Sequence, residues 1–172
     1  MFREETVIGL FKSNKKQTEK DKERQQWEEI HSPEAIAARN QEKAQVASMF
    51  DGERTLIWGE SMFLNMMVHD FTCKAENVVT FVSKEPEKLL EKCKEFQPTI
   101  LVLTGEPENL PEFLKQIAPG CPDAAIIISS SKPELLPYSK SELEAAHVCA
   151  VLKKPFVRED FLVAIQNIRD NK

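Results

Sequence analysis

Residues 97–104 read Gln97-Pro98-Thr99-Ile100-Leu101-Val102-Leu103-Thr104, four large aliphatic residues between a proline-containing approach and a hydroxyl. A strand with one wet face alternates apolar and polar side chains. This run does not, so it reads as a strand buried on both faces of a sheet. Four more runs have the same texture: Thr55-Leu56-Ile57-Trp58, Val78-Val79-Thr80-Phe81-Val82, Ala124-Ala125-Ile126-Ile127-Ile128 and Cys149-Ala150-Val151-Leu152. Segments with helical spacing lie between and after them. Ser61 to Cys73 is rich in Met, Phe and Leu; Pro86 to Phe96 places Leu89, Cys93 and Phe96 on one stripe. Pro111 to Ile117 carries Phe113, Leu114 and Ile117, with Gly120 as a stop. Ser141 to His147 is the weakest helix, and Val157 to Arg169 repeats apolar groups at Phe161, Ile165 and Ile168.

Strands alternating with helices, joined by right-handed crossovers, give a parallel sheet covered on both faces. The expected fold is therefore α/β: a five-stranded doubly wound parallel sheet of flavodoxin-like order 2-1-3-4-5, preceded by an α-helical N-terminal extension. In such sheets ligands sit at the carboxyl ends of the strands near the order reversal. The groups offered there are Gly59, Glu60 and Ser61, then Thr104, Gly105 and Glu106, then Ser129 to Ser131, and last Lys153-Lys154-Pro155.

Working outward, the sequence divides into a charged helical extension over residues 1–52, with an apolar N-terminal segment, and a sheet domain over residues 53–172. Residues 1–50 hold 9 Lys/Arg and 9 Asp/Glu, so the net charge of -5 belongs to the remainder, with 14 basic and 19 acidic residues. Lys12 to Glu29 has Trp27 as its only large apolar group and reads as a solvated helix or a linker. Its lysines are interrupted by Glu19, Asp21 and Glu23, which argues against nucleic-acid binding. Ser32-Pro33-Glu34 opens a cleaner helix: an N-cap hydroxyl, a proline at the first helical position and an acid at the positive end of the dipole. That helix runs from Ala35 to about Phe50, and Gly52 ends it. At the start of the chain, Phe2, Val7, Ile8 and Phe11 offer an apolar face. Two readings stay open for it: packing back on its own domain, or docking into a partner's groove.

Composition excludes several classes. With 172 residues and 41% hydrophobic content the chain builds a real core, and nothing approaches the roughly 18 apolar residues of a transmembrane helix. No secretory signal is visible, so the expected compartment is the cytoplasm. The four cysteines are 20, 28 and 28 residues apart without a close pair, so neither a metal site nor a cofactor is expected. Cys93 and Cys149 read as small buried hydrophobes. No Gly-rich phosphate loop, nucleophile elbow or metal-ligand cluster appears, and an enzyme is not expected.

The five-unit layout ending in Leu152-Lys153-Lys154-Pro155-Phe156 resembles the receiver domain of two-component response regulators over about residues 53–172. The resemblance puts Lys154 at the family's invariant lysine and Ser129 at its switch Thr or Ser. It makes residues 97–104 the third strand, which in the family ends in a phosphorylated aspartate. Receiver chemistry needs an acidic pair after strand one and an acceptor aspartate after strand three, holding Mg²⁺ between them. Here the pair is Gly59-Glu60, the acceptor position is Thr104 and the aromatic switch position is Val151. An isolated threonine without an adjacent base is a poor nucleophile.

The resemblance thus implies a degenerate receiver whose remnant site is Gly59, Glu60, Thr104, Ser129 and Lys154. With the aspartate gone, Lys154 is expected to pair with Glu60 or to bond to Thr104. The implied role is a phosphorylation-independent interaction module or scaffold in bacterial signalling, motility, polarity or clock assemblies. Its partner proteins would meet the extension and the face around strands 4 and 5, at Pro137, Tyr138, Leu143, His147, Val151 and Lys153, with a homodimer also open. The alternative is a sensor that binds a small ligand in the pocket phosphate and metal vacated.

Overall fold

Ser32 does what its position predicts: its hydroxyl accepts from the Ala35 N–H at 3.1 Å and opens helix α2 (Pro33–Ser48). The computed structural model describes residues 19–136 and 139–171 of the chain, and it divides into two units, Met1–Lys43 and Ala44–Lys172. In the first unit, helix α1 covers residues 19–30 and is exposed throughout. An Arg24–Glu28 ion pair at 2.9 Å and a Trp27–His31 ring stack at 4.3 Å link its turns side chain to side chain. The solvated-helix reading therefore holds over these residues. Phe2, Val7, Ile8, Phe11, Pro137 and Tyr138 lie outside the described residues.

The second unit carries the sheet. In chain order its elements are β1 (Thr55–Gly59), α3 (Met62–Phe71), β2 (Val78–Val82), α4 (Pro86–Phe96), β3 (Ile100–Leu103) and α5 (Leu110–Ile117). They continue as β4 (Ala125–Ser130), α6 (Lys140–Ala145), β5 (Val148–Lys153) and α7 (Arg158–Asp170). All neighbours in the sheet are parallel, in the order β2-β1-β3-β4-β5, as the apolar runs predicted. Side chains alternate between two cores. Leu56, Trp58, Leu101, Leu103, Ile126 and Ile128 meet α4 and α5 on one face. Ile57, Ile100, Val102 and Ile127 meet α7, with Phe161 and Ile165, on the other. Val46 and Phe50 also enter this second core, which is why the weakly amphipathic α2 still ends on buried residues.

β1 runs one residue past its expected end, to Gly59, and β4 and β5 depart from their expected bounds for local reasons. β4 runs on through Ser129 and Ser130, both buried, because the Ser129 hydroxyl donates to the Leu103 carbonyl at 3.2 Å. Its polar group is thereby satisfied inside the sheet. In the β4–β5 ladder Ile126 pairs with Val148 and Ile127 with Ala150, so Cys149 is an extra residue with no partner. Such a bulge turns its residue outward, and Cys149 is exposed rather than the small core residue its apolar run implied. Cys93 is fully buried, as its helical stripe required.

Candidate functional site

The carboxyl ends of β1, β3 and β4 converge on Thr104. Its N–H donates to the Trp58 carbonyl at 2.8 Å, which continues the β1–β3 ladder one residue past Leu103. The side chain is 1% exposed, and its hydroxyl lies 2.5 Å from Asn65 Oδ1 and 3.1 Å from the Trp58 carbonyl. Asn65, on the inward face of α3 and 0% exposed, settles which way the hydrogen points. Its amide nitrogen donates to the Gly59 carbonyl at 3.3 Å and to the Phe81 carbonyl at 3.1 Å. Both amide hydrogens are therefore spent on acceptors, so Oδ1 must receive, and Thr104 must give. One amide ties the ends of β1 and β2 to the residue after β3.

Gly59 is the third member of this cluster, and its lack of a side chain is a packing requirement. A Cβ at Gly59 would stand 2.1 Å from Thr104 Oγ1, 2.9 Å from Asn65 Oδ1 and 3.0 Å from the Gly105 nitrogen. The space a side chain would use at Gly59 is already occupied. Asn65 was not anticipated from the sequence. Its signal was a single polar residue inside Met62-Phe63-Leu64-Asn65-Met66-Met67-Val68, one turn before the buried Val68.

The other side of the Thr104 peptide is charged. Lys154, at the end of β5, donates from Nζ to the Thr104 carbonyl at 2.8 Å and to Glu106 Oε1 at 3.0 Å. Of the two expectations for Lys154, a bond to Thr104 is found, made to its main chain. The counter-ion is Glu106 and not Glu60, because Glu60 points outward and meets Lys84 at 3.7 Å. The same Glu106 oxygen accepts from the Ser131 N–H at 2.7 Å and from its hydroxyl at 2.8 Å. Burial pushes the Glu106 carboxyl up, but the hydrogen bonds from Lys154 and Ser131 overcome it and hold it below its ordinary value. Ser129 Oγ also lies 3.4 Å from the Thr104 carbonyl. Gly59, Thr104, Ser129 and Lys154 are thus gathered at one point, and Glu60 stands apart from them.

These residues do not fit Mg²⁺. The ion asks for several oxygen ligands in octahedral array. Gly59 offers no side chain, the Thr104 hydroxyl is committed to Asn65, and one Glu106 oxygen is held by Lys154 and Ser131. No group of three or more metal-ligating side chains occurs among the described residues. A cleft of about 370 Å³ opens beside the cluster, lined by Trp58, Glu60, Lys84, Glu106, Glu112 and Phe113, among others.

Around α6 and the edge strand β5, the expected contact residues separate. Lys153 and His147 are exposed, His147 in the turn before β5 with a positive φ of 58°. Val151 and Leu143 are half-buried and pack against the core instead, because α6 lies over that face of the edge strand.

Comparison with known proteins places the fold. No sequence-family model matches the chain, and no curated protein does. Solved structures do match. The chemotaxis response regulator CheY4 of Vibrio cholerae aligns at 21% identity and a TM-score of 0.53, over 66% of this chain and 96% of its own. The response regulator domain of Thermotoga maritima CheB aligns at 22% identity and a TM-score of 0.53, over 69% and 96%. A Sinorhizobium meliloti chain described as a pilus assembly protein, CpaE2, aligns at 17% identity and a TM-score of 0.50, over 66% and 97%. The sheet domain has the flavodoxin-like fold of response-regulator receiver domains, as the sequence implied. No helix among the described residues is long and apolar enough to cross a membrane.

Proposed function

We propose that this chain is a non-catalytic interaction module of bacterial signalling or localisation, a receiver-like domain that works without phosphorylation. One observation carries the reading: the site that would accept phosphate is closed by the neutral Gly59–Thr104–Asn65 cluster, with no room for a side chain at Gly59. Lys154 is occupied as well, by the Thr104 carbonyl and Glu106, so the site is held in one arrangement without an added anion. A receiver-like fold in this condition keeps its surface and loses its switch. Partners would meet the exposed Lys153 and His147 beside the edge strand of the domain of residues 53–172, and the extension of residues 1–52 would supply a second contact for them.

The test is intact-mass measurement of the full chain after acetyl phosphate and Mg²⁺, paired with partner capture under the same conditions. The expected result is no phosphoryl adduct, with one partner captured equally before and after treatment and less well by Lys153→Glu. A stoichiometric adduct, or capture that appears only after treatment, overturns the proposal.

A small-ligand sensor is the second reading, and one observation favours it. Trp58 lines the cleft beside the cluster, and its buried indole N–H has no hydrogen-bond partner. A metabolite that raises the melting temperature of the wild type but not of Trp58→Phe would support this reading.

A further inference from the structure

Helix α4 comes unusually close to the turn ahead of β4. A Cβ at Gly120 would stand 2.8 Å from Leu90 Cδ1, 2.9 Å from the Leu90 carbonyl and 3.0 Å from Cys93 Cβ. The glycine lets the two backbones meet, and the next residue is Cys121. Cys93 and Cys121, 0% and 5% exposed, share one core cluster, and each is the leading influence on the other's acidity. The Cys121 thiol in turn donates to the Ile117 carbonyl at 3.3 Å. Its hydrogen is thereby committed to that carbonyl.

We propose that Cys93 and Cys121 form a reversible redox pair, in which oxidation by a peroxide joins the two sulfurs and ties α4 to the turn before β4. One feature makes Cys121 the attacking sulfur. It reaches the wall of a cleft of about 490 Å³ that also presents the cations Arg54 and Lys94, whereas Cys93 is sealed. The Cys121 thiolate attacks one peroxide oxygen, giving a sulfenic acid and releasing hydroxide. The Cys93 thiol then displaces that oxygen as hydroxide, which its own proton converts to water. In sum, two thiols and hydrogen peroxide give one disulfide and two waters. The two other cysteines, Cys73 and Cys149, lie on different elements and take no part.

The experiment treats the reduced full chain with hydrogen peroxide, blocks remaining thiols with N-ethylmaleimide and maps them by peptide mass spectrometry. Two of the four cysteines should escape alkylation, in a single peptide pair linking Cys93 to Cys121, and dithiothreitol should restore both. The Cys73→Ser/Cys149→Ser variant leaves the buried pair untouched and should give the same link in a monomeric chain. Its oxidised form should melt at a higher temperature than its reduced form, since a cross-link restricts the unfolded chain. The proposal is overturned if that variant keeps both thiols alkylatable after peroxide. It is equally overturned if Cys121 passes to sulfinic acid while Cys93 stays free.

Discussion

The Thr104 peptide separates two polar clusters built on opposite principles. Toward the interior, Thr104, Asn65 and Gly59 form a neutral group sealed from water, in which each donor has one acceptor. Toward the surface, Lys154, Glu106 and Ser131 form a charged group whose carboxylate side chain is 43% exposed. The difference lies in what replaces a lost contact. Water can take over at the surface, whereas nothing can inside, so the cost of a change should follow burial and not formal charge. The charged residues Lys154 and Glu106 are therefore ones the fold can do without more readily than the neutral cluster.

Substitutions rank accordingly. The sharpest challenge is Gly59→Asp, which would return a carboxylate to the first acidic position implied by the receiver resemblance. It forces a side chain and a charge into the sealed cluster and should cost about 4 kcal/mol or leave the chain unfolded, measured by urea denaturation. Wild-type stability with Mg²⁺-dependent stabilisation would break the comparison outright. Asn65→Ala comes next: it strips partners from the Gly59 and Phe81 carbonyls and from the Thr104 hydroxyl, for about 3 kcal/mol. Thr104→Val keeps the shape and removes one donor, leaving Asn65 Oδ1 unpaired, and should cost about 1–2 kcal/mol.

The smallest effect belongs to the surface group. The folded Glu106 value is depressed, so its contribution is fully present above the unfolded value of about 4.3 and is lost as pH falls through the folded one. Wild type should thus lose more stability than Glu106→Gln between pH 7 and pH 3, by only about 0.5 kcal/mol for so exposed a pair. A larger difference than that of Thr104→Val would reverse the ranking.

The fold was legible because all five strands announce themselves as apolar runs. Ile100 to Leu103 has no polar alternation since both faces are covered, and β1 is buried at every position. β5 was read from its apolar run like the others, but the bulge turns Cys149 outward where burial was expected. The site was legible only by position. Thr104 and Lys154 could be placed from the strand ends, but Asn65 could not, because α3 inverts the usual pattern. It buries an amide while Met62, Phe63 and Met66 are exposed, Phe63 at 80%. The Lys154 counter-ion was missed as well: Glu106 meets Lys154 directly while the Ser131 N–H holds the same oxygen, a loop-to-loop contact that no spacing encodes.

The two tryptophans give the molecule a built-in optical label for each unit. Trp58 is 2% exposed and packs 4.9 Å from Phe113, which favours blue-shifted emission shielded from iodide. Trp27 is 61% exposed and stacks on His31, which favours red-shifted emission open to quencher. A single emission spectrum, resolved by quenching, thus follows the extension and the sheet domain separately without any added dye.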